Sequence, residues 1–228
     1  TQQQVSAIKE KTATHSPVKK LNSSGDEIMA RNGFFDCGGE VDVLEDSVSK
    51  IRDVAVGPEG TWSILDDRRE SDGNARSRIF TYNSNGDLLF AFGDKGRQLG
   101  NLSALAGIVY QGDNMLLLDK TAKSFTVYER TEYGDILVNA LKNQNERRYD
   151  RAIDDWMEIL KRNSNFDAAY IGIGQAMYRR GDFEESLEYF EAAYDTANWS
   201  NSYKDIRKEF MSNYFLFLII GIVAVIVA

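Results

Sequence analysis

The chain has 228 residues, 43% of them apolar, enough to build one or two ordinary hydrophobic cores. Its 35 acidic side chains outnumber 27 Lys and Arg, for a net charge of -8, which excludes nucleic acid as a partner because phosphates demand a cationic surplus. One cysteine, Cys37, excludes an intramolecular disulfide. With no basic or His neighbour in sequence, Cys37 also lacks the surroundings of an activated thiol.

Residues 1–49 read as an irregular N-terminal stretch. Residue 1 is Thr, and no signal or targeting pattern opens the chain, so the expectation is an internal piece of a larger protein. The single histidine, His15, lies in a polar segment and reads as an exposed bystander. NSSGDEI (22–28) is the first of several Gly-Asp turn signals. The segment GFFDCGGEVDVLEDSVSK (33–50) reads as an outer strand and a connection.

Residues 50–138 alternate in the manner of strands. DVAVGPEGTWSILD (53–66) and GIVYQGDNMLLLD (107–119) share one plan: an apolar run, a Gly turn, a second apolar run, then Asp. A second hairpin follows each. RIFTYNSNGDLLFAF (78–92) aligns with SFTVYERTEYGDILVNA (124–140), placing Gly86-Asp87 against Gly134-Asp135. Each unit would supply about four strands, and repeats of ~40 to 50 residues with four strands are the mark of propeller blades. DDRRESDGNARSR (66–78) reads as a charged, solvated loop. Asp66 and Asp119 read as acceptors of backbone hydrogen bonds in the turns after an inner strand.

Near Leu137 the period becomes helical. RRYDRAIDDWMEILKRN (147–163) returns 34 residues later as GDFEESLEYFEAAYDTA (181–197), pairing Tyr149 with Phe183, Ala152 with Ser186, Trp156 with Phe190 and Ile159 with Ala193. Two repeats over 139–200 are expected, making four helices in two antiparallel pairs between 135 and 197. Residues 201–213 carry Tyr203, Ile206 and Phe210 at helical spacing and read as a juxtamembrane capping helix. The uncharged run YFLFLIIGIVAVIVA (214–228) reads as the first part of a transmembrane helix. Lys204, Arg207 and Lys208 flank it on one side, a weak pointer to topology.

Three resemblances follow from these residues. AVGPEGTWSILD…RIFTYNSNGDLLFAFGDKG resembles an NHL-type propeller blade, with 54–96 the better copy and 106–137 the poorer. DAAYIGIGQAMYRRGDFEESLEYFEAAYDTAN (167–198) resembles the tetratricopeptide repeat, whose period is 34 residues. Tyr170, Ile173, Gly174, Ala176, Phe183, Ser186, Phe190 and Ala193 stand on its signature positions. The order of parts looks like bacterial membrane proteins in which a propeller and tetratricopeptide repeats precede a Yip-type multi-spanning domain. That resemblance implies a fold of partial β-propeller, helical repeat pair and the start of a transmembrane helix. It also implies a cell-membrane location with an extracytoplasmic soluble part.

Tetratricopeptide arrays bind peptides on the face made by their first helices. Carried over to this chain, that face holds Leu141 and Asn145 from the first copy and Ile171, Gln175, Tyr178 and Arg179 from the second. The functional expectation is a non-catalytic, membrane-anchored scaffold that binds a protein, a peptide or a cell-envelope glycan, without cofactor or metal. The sequence has no Gly-rich phosphate loop, GxSxG elbow or HExxH motif. The alternative is a metal-dependent propeller hydrolase or lactonase using channel carboxylates such as Asp66 and Asp119. A helical spacer stands beside the peptide-binding reading.

Overall fold

The computed structural model describes residues 18–28, 50–69, 75–93 and 104–227. Cys37, His15 and the segment expected to be an outer strand at 33–49 lie outside them. Two compact units divide the chain, one up to Val138 and one from Asn139.

The first unit holds two antiparallel sheets. Strands β1 (Ile51–Val56), β2 (Trp62–Arg69), β3 (Ala75–Tyr82) and β4 (Leu88–Phe92) form a four-stranded meander in sequence order. Strands β5 (Leu105–Gln111), β6 (Asn114–Asp119) and β7 (Ser124–Tyr128) form a three-stranded one. Register Ile64↔Phe80 and Leu65↔Ile79 sets alternate side chains on opposite faces of the β2–β3 hairpin. One face gathers Trp62, Ile64, Phe80 and Tyr82. From the other, Leu65 and Ile79 join Ala55 of β1 and Leu105, Ile108, Met115 and Leu117 of the second sheet in a shared core.

Polar groups fasten the two sheets as well. The Tyr110 hydroxyl reaches Ser63 Oγ at 2.7 Å, and Ser63 in turn meets Thr81 Oγ1 at 2.7 Å. The Ile108 amide donates to Asp53 Oδ2 at 2.9 Å. Ser63 and Thr81 are buried, and Asp53 and Tyr110 partly so, so these contacts satisfy donors and acceptors that burial would otherwise leave costly.

This architecture corrects the partial propeller. The described strands make one sheet of four and one of three, with no closed ring, whereas a propeller needs about four or more four-stranded blades. The fourth strand of the second copy is absent because the chain turns helical at Glu132, where a Gly134-Asp135 hairpin was expected. The charged loop at 66–78 is also corrected. Strand β2 runs through Arg69 and β3 begins at Ala75, paired up to Arg69↔Ala75.

Five helices follow: α1 (Glu132–Asn145), α2 (Tyr149–Arg162), α3 (Asp167–Arg180), α4 (Phe183–Ala192) and α5 (Thr196–Val227). Helix α3 ends at Gly181, whose φ of 103° is the left-handed conformation that lets its amide reach back to Met177 O. Asp195 caps α5, its carboxylate accepting the Asn198 amide at 3.1 Å.

The start of a transmembrane helix, expected at 214–228, is a second correction. The apolar residues continue α5, whose earlier turns carry Lys204, Asp205, Arg207, Lys208 and Glu209. Among the described residues no helix is long and apolar enough to cross a membrane.

Candidate functional site

Helix α3 is the centre of the second unit because its residues are small. Ala168, Ala169, Gly172, Gly174 and Ala176 are all buried. The Trp156 indole of α2 lies on Gly172, where an added Cβ would sit 2.5 Å from the ring. The Phe190 ring of α4 lies on Gly174, where a Cβ would come within 2.7 Å. Two aromatic rings 34 residues apart in sequence thus rest on one helix, two residues apart.

Residues two apart point to nearly opposite sides of a helix, so Trp156 and Phe190 pack on different sides of α3. Other side chains of α3 meet α1 and α5. Gln144 of α1 donates to Gln175 Oε1 at 3.0 Å, while its own oxygen accepts from Trp156 Nε1 at 3.3 Å. Beside it Asn143 donates to Asp155 of α2 at 2.7 Å. At the other end of α3 the Tyr178 hydroxyl donates to Asp205 of α5, and its ring lies 5.3 Å from that of Phe183.

This pair sets the electrostatics of the surface. The Tyr178 hydroxyl, then Lys208, lower the Asp205 carboxyl below its ordinary 3.8. The same hydrogen bond, with some burial, raises the Tyr178 phenol above its ordinary 10.0. Arg180 is held above the usual guanidinium range by hydrogen bonds to Asp182 and Asp150.

Of the six residues expected to face a peptide, the structure separates three groups. Leu141 and Ile171 are buried and pack within the helices. Gln175 and Tyr178 are half-buried and tie α3 to its neighbours. Asn145 and Arg179 are exposed.

Sequence reasoning missed Gln144 and Asp205, which complete those two ties, and a row on α5. Trp199 and Tyr203 stack with ring centroids 5.2 Å apart, and the Arg207 guanidinium stands 5.4 Å over Tyr203. The signal was the four-residue spacing of 199, 203 and 207, which places all three on one helical stripe.

The carboxylates of the hydrolase alternative hold backbone instead. Buried Asp66 accepts the Lys50 amide at 2.6 Å. Asp119 accepts the Thr121 and Ala122 amides at 2.8 and 2.9 Å, an Asx turn leaving β6. Among the described residues, no three His, Cys, Asp or Glu side chains converge as a metal site would require.

Compared with protein-family models and with curated proteins, the chain finds no match.

Proposed function

We propose that the protein is a non-catalytic interaction protein whose helical unit binds a segment of another protein. The observation that supports this reading is the Trp199–Tyr203–Arg207 stack on α5, with Tyr203 and Arg207 exposed and Trp199 half-buried. Trp, Tyr and Arg are the side chains that most often dominate interface energetics. Here stacking pre-orders them, so less side-chain entropy remains to be lost on association. Arg179 and Arg207, both exposed, favour a segment that carries carboxylates, which a guanidinium holds through paired hydrogen bonds.

The test is site-specific photocrosslinking from position 203, with position 188 on the exposed face of α4 as control. The partner segment crosslinked only from 203 is then titrated against variants. Tyr203→Ala and Arg207→Ala should each weaken it about tenfold, as loss of an interface anchor does. Glu188→Ala should leave affinity unchanged. Equal affinity in all three variants would overturn the assignment and leave the helices as a spacer.

A further inference from the structure

The first unit contains a cavity of about 350 Å³ that plays no part in the helical surface. Leu89 and Phe92 of β4, Tyr110 and Met115 of the second sheet, Tyr128 of β7 and Leu137 of α1 supply its apolar walls. The Phe92 and Tyr128 rings lie 5.2 Å apart. Polar groups in the lining are for the most part already engaged. Tyr110 is bonded to Ser63, Thr61 Oγ1 donates to Pro58 O at 2.6 Å, and Thr131 Oγ1 accepts the Gly134 amide at 3.3 Å.

Arg130 is different. Its Nε donates to Asp135 Oδ1 at 3.0 Å. Its Nη1 lies 3.0 Å from Asp113 Oδ1, yet the approach is off the N–H directions, so Nη1 is buried without a hydrogen bond. Asp113 itself is 65% exposed and well hydrated, a weak holder of a charge beside an apolar wall. A buried donor with spare capacity at the end of an apolar chamber is the usual arrangement of a small-molecule site. The start of α1, with Thr131, Tyr133 and Gly134 in the lining, turns the positive end of a helix dipole toward the same place. Glu129, Asp113 and Asp135 oppose an anion there, so the guanidinium has to outbid them at short range.

We infer that this cavity binds a small amphipathic carboxylate. The apolar body lies among Leu89, Phe92, Met115 and Tyr128, and the head takes the unused donor of Arg130 in place of Asp113. The inference goes beyond the helical docking surface and does not depend on it.

Calorimetric titration of the full chain with decanoate, decanol and decyltrimethylammonium tests it, since the three share a tail and differ in the head. Decanoate should bind at least about tenfold more tightly than decanol, the margin of a charge-assisted hydrogen bond, and the cation should bind weakest. Arg130→Gln should erase the preference for decanoate. Arg130→Lys, which keeps the charge, should retain part of it and guards against a merely misfolded variant. Asp113→Asn, which removes the rival carboxylate, should tighten decanoate. Ala91→Trp, from an exposed position on the lining, should weaken every tail. Equal affinity for decanoate and decanol, an unchanged preference in Arg130→Gln, or no saturable heat would each overturn the inference.

Discussion

Asn22, Asn83 and Thr131 occupy the same place in three copies of one short motif, and in each copy the side chain accepts backbone amides that follow it. In the first, Asn22 Oδ1 accepts the Ser24 and Asp26 amides, both at 2.9 Å. In the second, Asn83 Oδ1 accepts the Asn85 and Asp87 amides at the same distances. Gly25 and Gly86 follow with φ of 88° and 95°, the left-handed conformation that closes each turn. In the third copy the residue is Thr131, whose hydroxyl accepts the Gly134 amide three residues on, the geometry of a helix N-cap. The same offset thus serves a hairpin turn in two copies and a helix start in the third, where the strand expected at 136–138 is helical. Asn83→Ala should destabilise the chain by about 1 to 3 kcal/mol in urea unfolding, because two amides lose their acceptor. Thr131→Ala should cost about 1 kcal/mol, the ordinary value of a cap, and shorten α1 by circular dichroism. At Tyr178 and Asp205 the sign of a pH effect follows from the shifts. A lowered carboxyl contributes stability above pH 3.8 that is lost on acidification, and a raised phenol contributes below pH 10.0 what is lost in alkali. Tyr178→Phe should therefore flatten the stability profile at both ends while leaving it nearly parallel to the parent near neutrality.

At the scale of elements, the helices were more legible than the sheets, for a physical reason. The 34-residue offset joins side chains that meet the same helix: Trp156 and Phe190 are each 1% exposed, and Ala152 and Ser186 are fully buried. Periodicity is a local property, and the helices starting at Tyr149, Asp167 and Phe183 lie within the segments whose pattern is helical. Gly174 was legible as a signature position of the repeat, while Gly172, which receives Trp156, was not, because only the fold says which ring lands where. Of the partner surface, the family resemblance supplied residues on α3 but not their partners Gln144 and Asp205, which lie 31 and 27 residues away. Phe190→Ala should cost roughly 3 to 5 kcal/mol in thermal unfolding, the range for emptying an aromatic core site. A loss under about 1 kcal/mol would mean that Phe190 does not close α4 on α3. Gly174→Ala should also destabilise, since its methyl would press into that ring.

Two whole-molecule expectations failed, a partial propeller and the start of a membrane span, and both depended on what no local window reports. Repeated hairpins fix the strands of a sheet but not how many sheets the chain completes. An uncharged run at 214–228 likewise fixes an apolar stretch of helix but not a span, and among the described residues no helix is long and apolar enough to cross a membrane. What the two halves do each possess is a core of their own, one around Leu65, Ile79 and Leu117, the other around Trp156, Ile173 and Phe190. Burial of that kind makes each set of amides exchange by opening its own surroundings. Leu65→Ala removes buried methyl groups from the first core, a change costing about 2 to 5 kcal/mol at such sites. Native-state hydrogen exchange should then quicken at Ile64 to Asp67 while Ile173 to Met177 keep their protection, and Phe190→Ala should do the reverse. Equal acceleration in both regions from either variant would show one cooperative unit instead, and would assign the stability of the helical surface to the sheets as well.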